Sequence, residues 1–349
     1  MDNSRLWWNQ IRCGSYLLER VSRELCNENS FIISHLTNIP WKSTFYNLVE
    51  EEISDINSAR SFEYLESDSS AKPGRQILDA FCPPRIISQY WFEESYGSFL
   101  ARAEDTLLSQ RFIVVSNVSN EEELSSWVDF INEYETEIKK LGKVENKAIF
   151  IIESSAKVDY SNFKKIKVID YDQTEIDIYS FCVIIASQMM TESYHLSRYI
   201  SELVSIASDG NVAIAEKLLT YSTKLIDTPN ICVNDAYSAV GISFIKDINK
   251  FIFLAQLKSL FPLLEMYRTS TIEKLYFDIK RLLPWKDDYG NIKKDPYELE
   301  IRDILYLSQR IGLSYEKKLC FDTLKDIRNS LAHNKILEKE QIEYVCNLF

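Results

Sequence analysis

Arg328 and His333, near the C-terminus, are separated by four residues and are the side chains best suited to do chemistry together. Arginine carries a permanent, forked cation that suits a phosphate group, and histidine can accept or donate a proton near neutral pH. Asn329 follows the arginine directly and adds an amide that can orient a neighbouring group. These three residue types together could cleave a phosphodiester without a metal ion.

A helix is expected to hold these side chains, because apolar residues recur around them at spacings of three and four. The pattern predicts a helix over residues 316–337, with a core stripe formed by Leu324, Ile327 and Leu331. Asn329 and His333 are four residues apart and share a face, whereas Arg328 lies at the border of the stripe. An ordinary surface helix explains the same pattern, since a cation such as a protonated His333 is favoured near a helix C-terminus.

The spacing of these residues resembles the signature of the HEPN superfamily, small all-helical domains that are often ribonucleases. The resemblance covers about residues 245–349 and implies a HEPN-like helical bundle that pairs as a homodimer, with two Arg/His sets around one cleft. It implies that Arg328 holds the scissile phosphate, that His333 moves the proton at the 2′-hydroxyl or the leaving 5′-oxygen, and that Asn329 orients neighbouring groups. RNA is the implied substrate because the 2′-hydroxyl is the nucleophile. The implied product is a 2′,3′-cyclic phosphate, and no metal or other cofactor is required.

One position departs from the HEPN toxins that nucleotidyltransferase antitoxins control. Those toxins carry a modifiable tyrosine two positions after the histidine, and here that position is Lys335. We therefore expect control by the N-terminal domain or by a regulatory protein partner.

The first half of the chain alternates short β-prone apolar runs with helical segments, which predicts a parallel α/β sheet. The expected strands are residues 31–34, 62–65, 112–115, 148–152 and 166–169. Asn120 precedes three glutamates and is a favourable N-cap for a helix that extends to about residue 140. This order of strands resembles the core of P-loop ATPases of the AAA and STAND kind.

The phosphate loop of such an ATPase should follow the first strand, where Lys42 and Ser43 coincide with the end of the Gly-x4-Gly-Lys-Ser/Thr pattern. Both glycines are replaced, by Leu36 and Trp41, although the loop needs glycine for its backbone and for close approach of amides to phosphate. The third strand also lacks the acidic pair that holds magnesium, and the acidic Glu153 follows the fourth strand instead. We therefore expect a degenerate P-loop-like domain without a cofactor, in which Lys42 and Ser43 are the remaining candidates for nucleotide contact. A generic flavodoxin-like or Rossmann-like sheet is the alternative.

The pattern becomes helical from about residue 176, and a chain of 349 residues suits more than one domain. We expect an α/β fold followed by an all-α fold. The predicted parts are a degenerate P-loop NTPase-like α/β domain at 1–185, a helical connector or lid at 186–240 and a HEPN-like helical domain at 241–349.

The composition of the chain limits the ligands, partners and cellular location that we expect. The formal net charge is −12, but the excess of acidic residues lies in the N-terminal two thirds, so the segment with Arg328 and His333 is near neutral and can accept a phosphate. Seven dispersed cysteines without a Cys-x-x-Cys pair fit a reducing cytoplasm, and three histidines leave few ligands for zinc. The sequence has no signal-like or membrane-spanning apolar run, so we expect a cytoplasmic protein without a membrane partner.

Three functions follow from these observations. The first is a metal-independent endoribonuclease effector of a toxin or phage-defence type, in which Arg328, Asn329 and His333 form a composite site at a homodimer cleft. The second is a non-enzymatic scaffold or partner-binding protein with a nucleotide-dead P-loop-like platform. The third is an ATPase that uses an unorthodox loop through Lys42 and Ser43.

Overall fold

The computed structural model describes residues 2–35, 38–57, 60–104, 106–190, 193–287 and 290–348. The chain divides into two compact units, residues 1–177 and residues 178–349. It is a mixed α/β protein with a five-stranded parallel sheet and many helices, and this confirms the coarse fold class predicted from the sequence. The finer division at residues 185 and 240 stays a prediction.

A parallel sheet forms the centre of the first unit, with the strand order β2-β3-β4-β1-β5. Every neighbouring pair of strands is parallel. The five strands are β1 (Phe31–His35), β2 (Ser61–Glu66), β3 (Arg111–Val118), β4 (Ile149–Ser154) and β5 (Lys167–Tyr171). Each of them contains most of a strand that the sequence predicted. The central strands β1, β3 and β4 are nearly continuous apolar runs, as burial on both faces of a parallel sheet requires.

Helices cover both faces of this sheet. The helices of the first unit are α1 (Asn3–Gln10), α2 (Arg12–Cys26), α3 (Lys42–Asn57), α4 (Pro73–Phe81), α5 (Pro84–Ile87), α6 (Tyr96–Arg102) and α7 (Glu121–Lys140). On one side α2 packs against α3 and β5, and on the other α4, α6 and α7 pack together over the strand residues Ile113 and Phe150. Trp8 is fully buried and contacts Phe45 of α3, with ring centroids 4.7 Å apart.

Gly14 lets α2 lie close to α1, and this contact carries a prediction. A Cβ atom at Gly14 would lie 2.4 Å from the carbonyl oxygen of Trp7 and 3.1 Å from the Cα of Trp8. A glycine-to-alanine change in a helix ordinarily stabilises it, but here the backbone would have to move. We expect Gly14→Ala to lower the free energy of unfolding by about 1–3 kcal/mol.

Urea unfolding followed by tryptophan fluorescence measures this loss, because five of the six tryptophans lie in the first unit. The adjacent change Ser15→Ala is the matched control, and it should shift the free energy of unfolding by less than about 0.5 kcal/mol. A Gly14→Ala protein as stable as the parent would contradict the close approach of the two helices.

The described residues of the second unit are helical or loop apart from one short hairpin of β6 (Trp285–Lys286) and β7 (Ile292–Lys293). Helix α8 (Glu175–Met189) begins in the first unit and continues into the second. The other helices are α9 (Tyr194–Ala207), α10 (Val212–Leu219), α11 (Lys224–Asp227), α12 (Pro229–Ala239), α13 (Ile248–Ser259), α14 (Phe261–Lys274), α15 (Tyr276–Lys280), α16 (Ile301–Leu307), α17 (Tyr315–Ala332) and α18 (Lys339–Cys346). Helix α13 packs against α9, and α17 packs against α13, α14 and α16.

One predicted helix ends earlier than the sequence pattern indicated. The helix expected over 316–337 is α17, and it ends at Ala332. The reason is Asn334, which has a φ of 57° and therefore cannot continue a right-handed helix. His333 consequently lies at the end of the helix, as its C-cap residue, and not within it.

Within the described ranges, no helix combines the length and the apolar character that crossing a lipid bilayer requires.

Candidate functional site

Helix α17 carries Arg328 and Asn329, and its ends are defined by local hydrogen bonds. At its start, the Ser314 hydroxyl accepts a hydrogen bond from the Lys317 amide at 3.3 Å, which is an N-cap. The side chains that anchor the helix in the core are Phe321, Leu324, Ile327 and Leu331, each no more than 1% exposed. The predicted apolar stripe is therefore the buried face of α17.

The C-terminal end of α17 is a Schellman motif that places His333. The Lys335 amide donates to the Ser330 carbonyl at 2.8 Å, and the Asn334 amide donates to the Leu331 carbonyl at 3.2 Å. These two bonds close the helix around a left-handed residue, a role that asparagine fills well. His333 is exposed on this turn, at the C-terminal end of the helix.

A buried glutamine fixes the segment that follows this turn. The Gln256 side chain is fully buried in α13, and its Nε2 donates to the Leu337 carbonyl at 3.1 Å while its Oε1 accepts from the Leu337 amide at 2.8 Å. Two hydrogen bonds to the backbone of Leu337 hold the chain shortly after His333 against the core. The position of the histidine is thus set from both sides, by α17 and by Gln256.

Arg328 lies on a different side of α17 and forms an ion pair with Glu300. One guanidinium nitrogen is 3.2 Å from a carboxylate oxygen of Glu300, and the two side chains are 30% and 55% exposed. Glu300 also caps α16 in a capping box with Asp303. An exposed pair of this kind is worth only about 0–1 kcal/mol, so a phosphate group could displace Glu300 from the arginine. Sequence reasoning missed Glu300, which lies 28 positions before Arg328.

The three predicted site residues do not converge within one chain. His333 lies five positions after Arg328, so the two point about 140° apart around a helix of 3.6 residues per turn. Asn329 and His333 share a face and both are exposed, whereas Arg328 is half-buried beside α16. A second chain would have to complete any cleft that uses all three side chains.

The exposed face of α17 is continuous along the helix. Residues on it follow spacings of four and three, and they are Tyr315, Leu319, Asp322, Asp326, Asn329 and His333. Tyr315 is 81% exposed and Leu319 is 59% exposed, so this exposed face begins with two large side chains that are open to solvent. Such a stripe is compatible with helix pairing between two copies of the chain.

A second candidate site lies in the first unit, where the strands of the sheet end. A crevice of about 430 Å³ is lined by His35, Asn38, Ile39, Lys42, Glu66, Ser116, Asn117, Glu153 and Ser155. These residues follow or end β1 to β4, at the edge of a parallel sheet where ligands commonly bind. Lys42 lines the crevice as expected, whereas Ser43 is exposed and lies outside the lining. Leu36 and Thr37 of the predicted loop lie outside the described residues.

Lys42 is already engaged inside this crevice. Its ammonium group pairs with Glu153 at the end of β4, whose side chain is only 5% exposed. The Tyr46 hydroxyl donates to the other oxygen of Glu153 at 2.7 Å. Burial, together with the negative charge of Glu153, raises the pKa of Tyr46 well above its ordinary value, so the phenol stays a donor. Sequence reasoning named Glu153 and Lys42 but not their pairing, and it missed Tyr46.

The backbone at Trp41 has a conformation that glycine adopts more readily than a large side chain. Trp41 has a φ of 44°, in the left-handed region that is uncommon for large side chains. Its ring contacts Trp7 of α1, with ring centroids 6.3 Å apart. The position is therefore occupied by a packing residue in a backbone geometry that favours glycine.

No group of three or more His, Cys, Asp or Glu side chains is arranged to hold a metal ion in the part of the chain that the structure describes.

Comparison with known proteins adds little. No family model matches the chain, and no curated protein matches it. Among solved structures, a chain from the structure of Drosophila ORC bound to DNA matches with a TM-score of 0.34 and 10% sequence identity, over 97% of this chain and 88% of that chain. At that score the likeness supports no conclusion about fold or function.

Proposed function

We propose that this protein is a metal-independent endoribonuclease effector of a toxin or phage-defence type. In this proposal the second unit contains a HEPN-like helical bundle, and the first unit contains a degenerate P-loop-like domain. The observation that carries the proposal is the set of Arg328, Asn329 and His333 at the capped, solvent-facing end of α17.

Each side chain has a defined task in the proposed reaction. Arg328 leaves Glu300 and binds the oxygens of the scissile phosphate, where negative charge grows in the transition state. One His333 removes the proton from the 2′-hydroxyl, the 2′-oxygen attacks phosphorus, and the bond from phosphorus to the 5′-oxygen breaks. The departing 5′-oxygen takes a proton from water, so one His333 in the cleft is sufficient. The products are a 2′,3′-cyclic phosphate and a 5′-hydroxyl end.

The exposed stripe of α17 supports a homodimer as the active form. Because Arg328 and His333 diverge around one helix, a shared cleft would combine side chains from both copies. RNA is the proposed substrate, and a regulatory protein partner is proposed to control the enzyme. A cytoplasmic location belongs to the same proposal, since all seven cysteines are free thiols.

Mixing two inactive variants tests the composite cleft. Arg328→Ala and His333→Ala proteins are unfolded together, refolded together and assayed for RNA cleavage in EDTA, with each variant refolded alone as the control. Mixed dimers retain one arginine and one histidine in the cleft, so activity should return above that of either variant. If dimers form but activity stays at the level of the separate variants, the composite site is wrong.

One observation favours a second candidate, a partner-binding protein with a nucleotide-dead platform. The ammonium group of Lys42 is already paired with Glu153, and Tyr46 donates a hydrogen bond to the same carboxylate. We therefore expect calorimetry with ATP and magnesium to detect no micromolar binding to the full chain. Micromolar binding that Lys42→Ala abolishes and the exposed-lysine control Lys164→Ala preserves would contradict this and favour the ATPase hypothesis.

A further inference from the structure

The first unit contains a second and larger cleft that the proposed ribonuclease does not use. Its volume is about 1090 Å³. Helix α7 forms one wall, and the chain segments 69–76 and 90–96 form the other. A cleft of this size can hold several side chains of a ligand.

Carboxylates predominate on both walls, and Lys72 is the one basic residue among the described residues of the lining. Glu122, Asp129 and Glu133 are exposed on α7 at spacings of seven and four, so they form a row about 16 Å long. Glu93 is exposed on the opposite wall. None of these four forms an ion pair with any residue that the structure describes. The adjacent Glu94 differs, because it pairs with Arg102 at 2.8 Å.

Aromatic rings stand beside these carboxylates. Tyr90 and Tyr96 stack with centroids 4.5 Å apart and an interplanar angle of 10°. Phe92 lines the cleft and is 75% exposed, and the neighbouring Trp91 is 60% exposed, with its ring 5.1 Å from that of Phe92. Two large aromatic side chains exposed together are typical of anchors in a protein interface.

Close packing fixes the shape of the wall that carries Tyr96. A Cβ atom at Gly74 of α4 would lie 2.1 Å from the Cβ of Tyr96. A Cβ atom at Gly97 would lie 2.8 Å from the Glu133 side chain. Two glycines thus allow the close packing that sets the positions of the aromatic wall and the acidic row.

We propose that this cleft binds a basic segment of a partner protein. Arginine or lysine side chains of the segment pair with the acidic row and lie over the aromatic rings, and an apolar side chain packs on Trp91 and Phe92. Nucleic acid is a poor occupant, because its phosphates would face four uncompensated carboxylates. A small polyamine would satisfy the carboxylates but would leave the aromatic pair exposed. This inference does not depend on the ribonuclease.

Fluorescence anisotropy with a labelled peptide tests the charge complementarity. The probe is a nine-residue peptide of alternating arginine and leucine, added to the full chain at physiological ionic strength. The triple variant Glu122→Gln, Asp129→Asn, Glu133→Gln should weaken binding at least about tenfold. The matched control Glu50→Gln, Glu52→Gln, Glu145→Gln removes the same charge from exposed positions outside the cleft, and it should change affinity less than about twofold.

Substitution of Trp91 and Phe92 distinguishes binding of a protein segment from binding of a small polycation. The double variant Trp91→Ala, Phe92→Ala should lower the affinity for the peptide about tenfold and leave the affinity for spermine unchanged. Equal losses in both triple variants would mean that the peptide responds only to net charge, and this would overturn the proposal. The absence of peptide binding, or binding that the aromatic change leaves intact, would overturn it as well.

Discussion

Arg328→Ala and His333→Ala are each expected to lower the rate of RNA cleavage by about a hundredfold to ten-thousandfold. The arginine would stabilise charge on the phosphate in the transition state, and the histidine would transfer the proton without which the 2′-oxygen is a poor nucleophile. Both side chains lie at the surface, with Arg328 30% exposed and His333 exposed, so neither change should disturb the core.

Cleavage of a labelled RNA in EDTA measures this effect. Arg310→Ala is the matched control, since it removes an exposed arginine of the same unit that no described carboxylate binds. Arg328→Lys should recover only part of the activity, because an ammonium group cannot bind two phosphate oxygens as a guanidinium does. If folded Arg328→Ala and His333→Ala proteins cleave at the parental rate, the site does not lie on α17.

Arg60→Ala is expected to lower the free energy of unfolding of the first unit by about 3–5 kcal/mol. The guanidinium is buried directly before β2 and donates to the Lys147 carbonyl at 2.6 Å and the Glu145 carbonyl at 3.1 Å. It also pairs with Glu28 at 3.1 Å. Its loss would leave carbonyl groups and a carboxylate without their donor and open a cavity beside Phe112, whose ring lies 5.7 Å from the guanidinium.

Urea unfolding followed by tryptophan fluorescence again reports on the first unit. Arg5→Ala provides the control, because it breaks an ion pair with Glu51 in which both side chains are about half exposed. The urea midpoint should fall several times further for Arg60→Ala than for Arg5→Ala. Equal midpoints for the two variants would contradict the structural role of Arg60.

The sheet could be predicted because the sequence within each strand carries the signal for that strand. Each central strand is a run of apolar residues, such as the one at β1, and burial on both faces of a parallel sheet requires that run. The sequence also predicted the N-cap at Asn120, whose side chain accepts a hydrogen bond from the Glu123 amide at 2.9 Å. Helices α1 and α2 were missed, although Trp7 and Trp8 of α1 are buried and the Trp8 ring packs against Tyr171 of β5, with ring centroids 6.0 Å apart.

The site was less predictable because its geometry depends on contacts far apart in sequence. The pairing of Arg328 with Glu300 and of Lys42 with Glu153 has no local signal. The C-terminal end of α17 did have a local signal, since asparagine is a favoured residue at the left-handed position after a helix. Reading Asn334 in that way would have placed His333 at the helix end.

Analysis of the cleavage products tests the central claim most directly. The full chain is incubated with a defined RNA in EDTA, and the new ends are identified by mass spectrometry. We expect a 2′,3′-cyclic phosphate on one fragment and a 5′-hydroxyl on the other, with no product from Arg328→Ala. Fragments with a 3′-hydroxyl, cleavage that needs added metal ions, or equal cleavage by Arg328→Ala would contradict a metal-independent site on α17.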